Sequence, residues 1–142
     1  MNKIKALCAS RYRNYYGKPF ELTDGQVEIF EIIVKRKFPR THCMAYTRYG
    51  KSETVSMAVL TRITTYPEKW AIVAPSGKKT KIIMSALINH TFDNEYTMAM
   101  FDVGQGESME RIRRERSKER MTYRHPDGRL GEVFTLSSEG KR

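Results

Sequence analysis

Ala45-Tyr46-Thr47-Arg48-Tyr49-Gly50-Lys51-Ser52 is the stretch on which the reading of this chain turns. Its spacing, a small residue, four of any kind, then Gly-Lys-Ser, is that of a phosphate-binding loop. Such a loop wraps a polyphosphate with backbone N–H groups, so Gly50 must let the main chain approach closely. Lys51 sets an ammonium against the β- and γ-phosphates, and Ser52 offers a hydroxyl to a Mg²⁺ ion that bridges them. The helix that starts there points the positive end of its dipole at the anion. Both neighbours suit this reading. His42-Cys43-Met44-Ala45-Tyr46 is short and mostly apolar, which predicts a strand. From Glu53 onward, Val55, Ala58, Val59 and Arg62-Ile63 share one helical face at three- and four-residue steps. A chance Gly-Lys-Ser at a strand-to-helix turn is the bland alternative; the context on both sides favours the loop.

The 142 residues suit one modest domain. Hydrophobic content of 39% with 30% charged residues still describes a globular chain. Lys and Arg number 26 against 16 acids, a net charge of +10, which points to a polyanionic partner, nucleic acid first. Cys8 and Cys43 give no disulfide framework, and Cys43 is expected as a buried thiol in the strand before the loop. His42 and Cys43 are adjacent, without metal-ligand spacing, and no Cys-x-x-Cys occurs, which argues against a structural zinc. No apolar run approaches a membrane span and the start carries no apolar signal core, so an intracellular protein is expected.

Residues 1–19 are basic and tyrosine-rich, with Lys3, Lys5, Arg11, Tyr12, Arg13, Tyr15, Tyr16 and Lys18. Interleaved cations and rings can grip a nucleic acid; the reading preferred is a loosely held arm that packs its tyrosines on the domain. After Gly17-Lys18-Pro19, Thr23 and Gln26 have capping-box spacing ahead of a helix with Val27, Phe30, Ile33 and Val34 on its apolar stripe and Pro39 at its stop. The Gln26 amide can equally donate to and accept from an adenine edge. Trp70-Ala71-Ile72-Val73-Ala74 predicts a parallel strand buried on both faces, and the alternation of strands and helices predicts an α/β fold of three layers. Ser76 then caps a helix to about His90, whose first turns carry Lys78, Lys79 and Lys81, either a solvated face or a surface for DNA phosphates. Met98 to Phe101 lead into Asp102 as a metal-ordering strand would, but no second acid follows, so a structural segment is expected. Residues 107–120 predict a charged helix with Glu107–Arg111 and Glu110–Arg114 pairs. Met121 to Ser137 reads as a hairpin turned by Pro126-Asp127-Gly128.

Together these pieces resemble one family. Arg48-Tyr49-Gly50-Lys51-Ser52-Glu53 is similar to the phosphate loop in the large subunits of viral DNA-packaging terminases. Phe20-Glu21-Leu22 with Gln26 resembles the family's adenine motif, Trp70 to Lys81 its second strand and lysine-bearing helix, and Pro126-Asp127-Gly128 with Val133 to Ser138 its hairpin. The resemblance covers Phe20 to the last residue. It implies a three-layer, RecA-like P-loop NTPase fold with a mostly parallel sheet, incomplete at the C-terminus: 1–19 an arm, 20–142 a partial ATPase domain, with nothing corresponding to the family's nuclease. It implies ATP and Mg²⁺, a nucleotide site of Gln26, Ala45, Tyr46, Thr47, Arg48, Tyr49, Gly50, Lys51, Ser52 and Glu53, and Mg²⁺ at Ser52. Arg48 would reach the γ-phosphate, or else pair with an acid and shape the loop. It also implies double-stranded DNA, a portal and a small terminase subunit as partners, a homo-oligomeric ring and the host cytoplasm. The family's Asp-Glu strand would follow the hairpin, and the chain ends before it. A helicase-like remodelling ATPase and a non-catalytic nucleotide-binding regulator are the competing classes.

Overall fold

The computed structural model describes residues 2–45, 50–103, 108, 110–112 and 119–137. At its centre lies α3 (Lys51–Thr65), the helix that starts at Gly50. It was expected to bury one face; instead Thr54, Ser56 to Thr61, Ile63 and Thr64 are all buried. Its hydroxyls survive burial by donating to carbonyls one turn back: Thr54 to Gly50 (2.8 Å), Ser56 to Ser52 (2.6 Å), Thr61 to Met57 (2.8 Å) and Thr64 to Leu60 (2.7 Å). On one side of it packs α2 (Asp24–Val34). Thr23 and Gln26 close the expected capping box there, and Val27 and Phe30 turn inward. The helix ends before Pro39, where Arg36 turns left-handed (φ 49°).

The other side of α3 meets a four-stranded sheet. Its strands are β1 (Lys69–Ala74), β2 (Phe101–Asp102), β3 (Arg120–Arg124) and β4 (Leu130–Ser137), in the order β1-β4-β3-β2. β1 and β4 run parallel; β4–β3 and β3–β2 run antiparallel. The fold is α/β, but the sheet is mixed where a mostly parallel one was expected. The hairpin decides this, because a short turn can join only antiparallel neighbours; Gly128 takes φ 88° in it.

α3 and α4 (Gly77–Thr91) lie on one face of the sheet, against Met121, Tyr123 and Val133. Contact is close enough that a Cβ on Gly131 would collide with the Ile63 carbonyl oxygen. Facing away, Glu132 pairs with Arg120 (2.5 Å) and Lys69 (3.7 Å), and Asp102 with Arg124 (3.0 Å). β1 therefore alternates between exposed and half-buried positions rather than being buried on both faces. Among the described residues the helices cover one face only, where three layers were expected.

The amino-terminal segment is not loosely held. α1 (Asn2–Arg11) sends Cys8 into the core, Tyr12 follows it, and the Tyr12 hydroxyl meets Thr61 Oγ1 at 2.7 Å. Residues 41–45 form no strand, and Cys43 is exposed rather than buried. A strand needs a neighbour for its main chain, and no described strand pairs with this segment. The short helix α5 (Glu95–Met100) takes up Met98 to Met100, leaving only two residues for β2. Of the helix expected at 107–120, Glu110–Ile112 are described and helical, with Ile112 buried. The pairs Glu107–Arg111 and Glu110–Arg114 lie outside the described residues.

Candidate nucleotide site

Gly50 begins α3 in the left-handed conformation (φ 86°), which L side chains rarely adopt. As N-cap, Gly50 makes no side-chain cap hydrogen bond to that end of the helix. Above Gly50 sits the Gln26 amide, placed by the capping box: a Cβ on Gly50 would stand 2.5 Å from Gln26 Nε2. Gln26 Oε1 accepts from the Thr23 N–H at 2.9 Å. The bond that caps α2 also orients the amide over the loop glycine.

Lys51 closes the loop. Its Nζ donates to the Ala45 carbonyl at 2.9 Å, so the residue that opens the motif and the lysine near its end meet. Ser52 is exposed in the first helical turn. Tyr46, Thr47, Arg48 and Tyr49 lie outside the described residues, and with them the possible γ-phosphate contact of Arg48.

Glu53 has another engagement. Its carboxylate meets His90 Nε2 at 2.5 Å, and His90 Nδ1 meets Asp93 Oδ2 at 2.7 Å. That same Asp93 oxygen accepts from the Arg13 backbone N–H (2.8 Å), and the rings of Tyr12 and Phe20 stand edge-on to the imidazole. Burial pushes the His90 pKa down, but the hydrogen bonds and charges of Asp93 and Glu53 outweigh it and hold it up at about 9. This cluster was missed from sequence. Asp93, three residues after a histidine in the last turn of α4, was its one local signal.

A groove of about 1290 Å³ lies between α2, residues 38–45 and β1. Ile29, Ile32, Ile33, Phe38 and Trp70 line it, and it reaches the loop at Ala45. Beneath it Glu68 forms a fork with Arg62 (2.6 and 2.8 Å), which also donates to the Val34 carbonyl and holds α2, α3 and β1 together.

The remaining candidates lie on α4 and on β2. α4 crosses α3 near its start, where Ser56 Oγ reaches the Ile83 carbonyl at 3.4 Å. Ser76 caps α4 as expected, and Lys78, Lys79 and Lys81 are exposed on its first turns. Asp102, paired with Arg124, lies on the sheet edge opposite β1.

A polyphosphate fits these residues. A left-handed glycine, a helix start whose N-cap residue makes no side-chain bond, a lysine turned onto the loop and an exposed serine hydroxyl are features that suit a Mg²⁺–triphosphate. Among the described residues no group of three or more His, Cys, Asp or Glu side chains could hold a metal by itself. Among the described residues of the loop, Ser52 is the side chain that would hold a Mg²⁺. No helix among the described residues is long and apolar enough to cross a membrane. Neither a protein-family model, nor a curated protein, nor a solved structure matches the chain.

Proposed function

We propose that this chain binds ATP with Mg²⁺ through the loop from Ala45 to Glu53, as the nucleotide-binding part of a motor of the viral terminase kind that moves double-stranded DNA. The observation that carries the nucleotide reading is the closure of Lys51 on Ala45 beside a left-handed Gly50. The ammonium spends its bond on a main-chain carbonyl, which a phosphate oxygen can replace with a charge-assisted one. The motor reading is supported by the resemblance of the loop, the adenine glutamine and the hairpin, taken in order. On it, Lys78, Lys79 and Lys81 would contact duplex phosphates, and a portal, a small subunit and further copies in a ring would complete the machine.

In the mechanism, Mg²⁺ neutralises phosphate charge when bound. The chain's own part is to present the N–H groups of the first turn of α3, to place the Lys51 ammonium, and to set the Gln26 amide over the turn. Calorimetric titration with MgATP tests the binding. Lys51→Ala is expected to weaken it about 10- to 100-fold, the loss of one charge-assisted hydrogen bond. Equal affinities for wild type and variant would remove the phosphate-loop reading.

A regulator that binds nucleotide without turning it over is the second reading. It is favoured by one observation: Asp102, the carboxylate weighed as a metal-ordering acid, is engaged by Arg124. Duplex-stimulated ATP turnover separates the motor, or a helicase-like enzyme, from the regulator.

A further inference from the structure

The sequence motif that the nucleotide site leaves unused is the basic, tyrosine-rich start of the chain. Residues 1–20 hold Lys3, Lys5, Arg11, Arg13 and Lys18 and no acid. Tyr12 is spent on the core, but Tyr15 is 96% and Tyr16 81% exposed, edge to face with centroids 5.5 Å apart.

The turn that presents them is firmly built. The Asn14 N–H donates to the Lys18 carbonyl at 2.8 Å and the Gly17 N–H to the Asn14 carbonyl at 2.9 Å. Asn14 Oδ1 accepts from the backbone N–H groups of Tyr16 (2.9 Å) and Lys18 (3.1 Å). Arg13 bridges Pro19 across the base and hangs from Asp93 through its N–H. None of these bonds uses a tyrosine ring. Two large rings held in water on a fixed turn gain nothing for the fold, since burial is what makes an aromatic stabilising.

Beside the turn, Asn94 Nδ2 donates to the Arg11 carbonyl at 2.9 Å, and the Arg11 guanidinium lies over the half-exposed ring of Tyr96 at 5.4 Å. The turn and its neighbour thus bring together the rings of Tyr15, Tyr16 and Tyr96 and the cations Arg11 and Lys18, while the Arg13 guanidinium donates to the Ala9 and Tyr12 carbonyls (2.9 and 3.1 Å). Glu95 and Glu21 are exposed acids near it.

We propose that this surface binds single-stranded nucleic acid, with Tyr15 and Tyr16 stacking on unpaired bases and the neighbouring cations following the phosphates. The charge selects a polyanion. The rings select unpaired bases, because a base inside a duplex has no free face for a side chain at the tip of a turn. The inference is independent of the loop at Gly50.

Fluorescence anisotropy of the full chain with a labelled oligo-dT, an abasic oligomer of equal length and a duplex tests it. Tyr15→Ala/Tyr16→Ala is expected to weaken oligo-dT about 5- to 150-fold for each ring that holds a base, with the thermal midpoint unchanged. Tyr15→Phe/Tyr16→Phe keeps the affinity, because stacking needs no hydroxyl. Lys18→Gln lowers the salt slope by about 0.7, and the alanine pair leaves it unchanged. An alanine pair that binds oligo-dT as wild type does overturns the proposal, whatever protein that surface captures. So does an abasic oligomer bound as tightly as oligo-dT, or an equal loss for the duplex.

Discussion

His90 joins Glu53 in the first turn of α3 to Asp93 after α4, so its charge should be visible in the stability of the whole domain. The perturbation is pH, with His90→Gln as the control. The imidazole pKa moves from 6.5 to about 9 on folding. At 1.36 kcal/mol for each unit, holding that proton stabilises the fold by at most about 3 kcal/mol. The folded value is the higher one, so the stabilisation is complete below pH 6.5 and lost as pH rises through 9. The groups facing the ring fix this sign: the carboxylates of Glu53 from α3 and Asp93 beside its own helix, with the uncharged rings of Tyr12 and Phe20. Gln offers one donor group to two carboxylates and no charge. His90→Gln should therefore cost about 2–3 kcal/mol at pH 6, a fall of roughly 10 °C in Tm for a chain of this size. That gap should shrink steadily from pH 7 to pH 9.5. Urea unfolding at stepped pH measures it, and the ring nitrogen shifts of His90 report the proton directly. A gap constant from pH 6 to pH 9.5, or a neutral ring at pH 7.5, would refute the reasoning.

Gly50→Ala places a side chain at φ 86° and against Gln26 Nε2. It should cost about 1–2 kcal/mol of stability in urea and weaken MgATP binding together with it. Gln26→Ala should cost about 1 kcal/mol through the cap of α2 and weaken ATP more than inorganic triphosphate; a uniform loss for both ligands in parallel titrations would leave the amide its capping role alone. On the regulator reading, multiple-turnover phosphate release with ATP, Mg²⁺ and duplex DNA should stay near background while binding persists, since loss of a catalytic acid costs about 10²–10⁴-fold. Robust turnover abolished by Asp102→Asn would show that the far edge of the sheet, not the Gly50 turn, carries the chemistry.

What could be read from sequence was local. The Thr23–Gln26 box, the Ser76 cap and the Pro126-Asp127-Gly128 hairpin each depend on residues within a few positions of one another, and all form as expected. What failed depended on neighbours distant in the chain. His42 to Ala45 looks like a strand by composition, but composition does not supply the pairing edge. Trp70 to Ala74 looks like a strand buried twice, yet Lys69, paired across to Glu132, already marks an outer face in water. α1 reads as an arm by composition, because its lysines dominate. Ile4, Leu7, Cys8 and Tyr12, at three- and four-residue steps, were the signal of a packed helix. The Glu53–His90 contact spans 37 positions and has no counterpart in local spacing.

That contact also bears on the loop. A carboxylate in the first turn of a helix favours the helix, because it faces the positive end of the dipole. At the mouth of a phosphate site the same carboxylate opposes the ligand. Glu53 follows Ser52 directly and is half-exposed, so without a partner its charge would stand close to any bound triphosphate. His90 removes the conflict from below. Its imidazolium lies inside the core between two carboxylates, where the charge is screened far less than at the surface, and it draws Glu53 toward α4. Asp93 in turn keeps the ring from being a lone buried cation and anchors the Arg13 main chain with the same oxygen. Among the described residues, the outward-facing charge at the helix start is then Lys51, the N–H groups of the first turn and a Glu53 carboxylate paired with His90. One buried histidine thus ties the packing of the amino-terminal segment to the electrostatics of the Gly50–Lys51 turn.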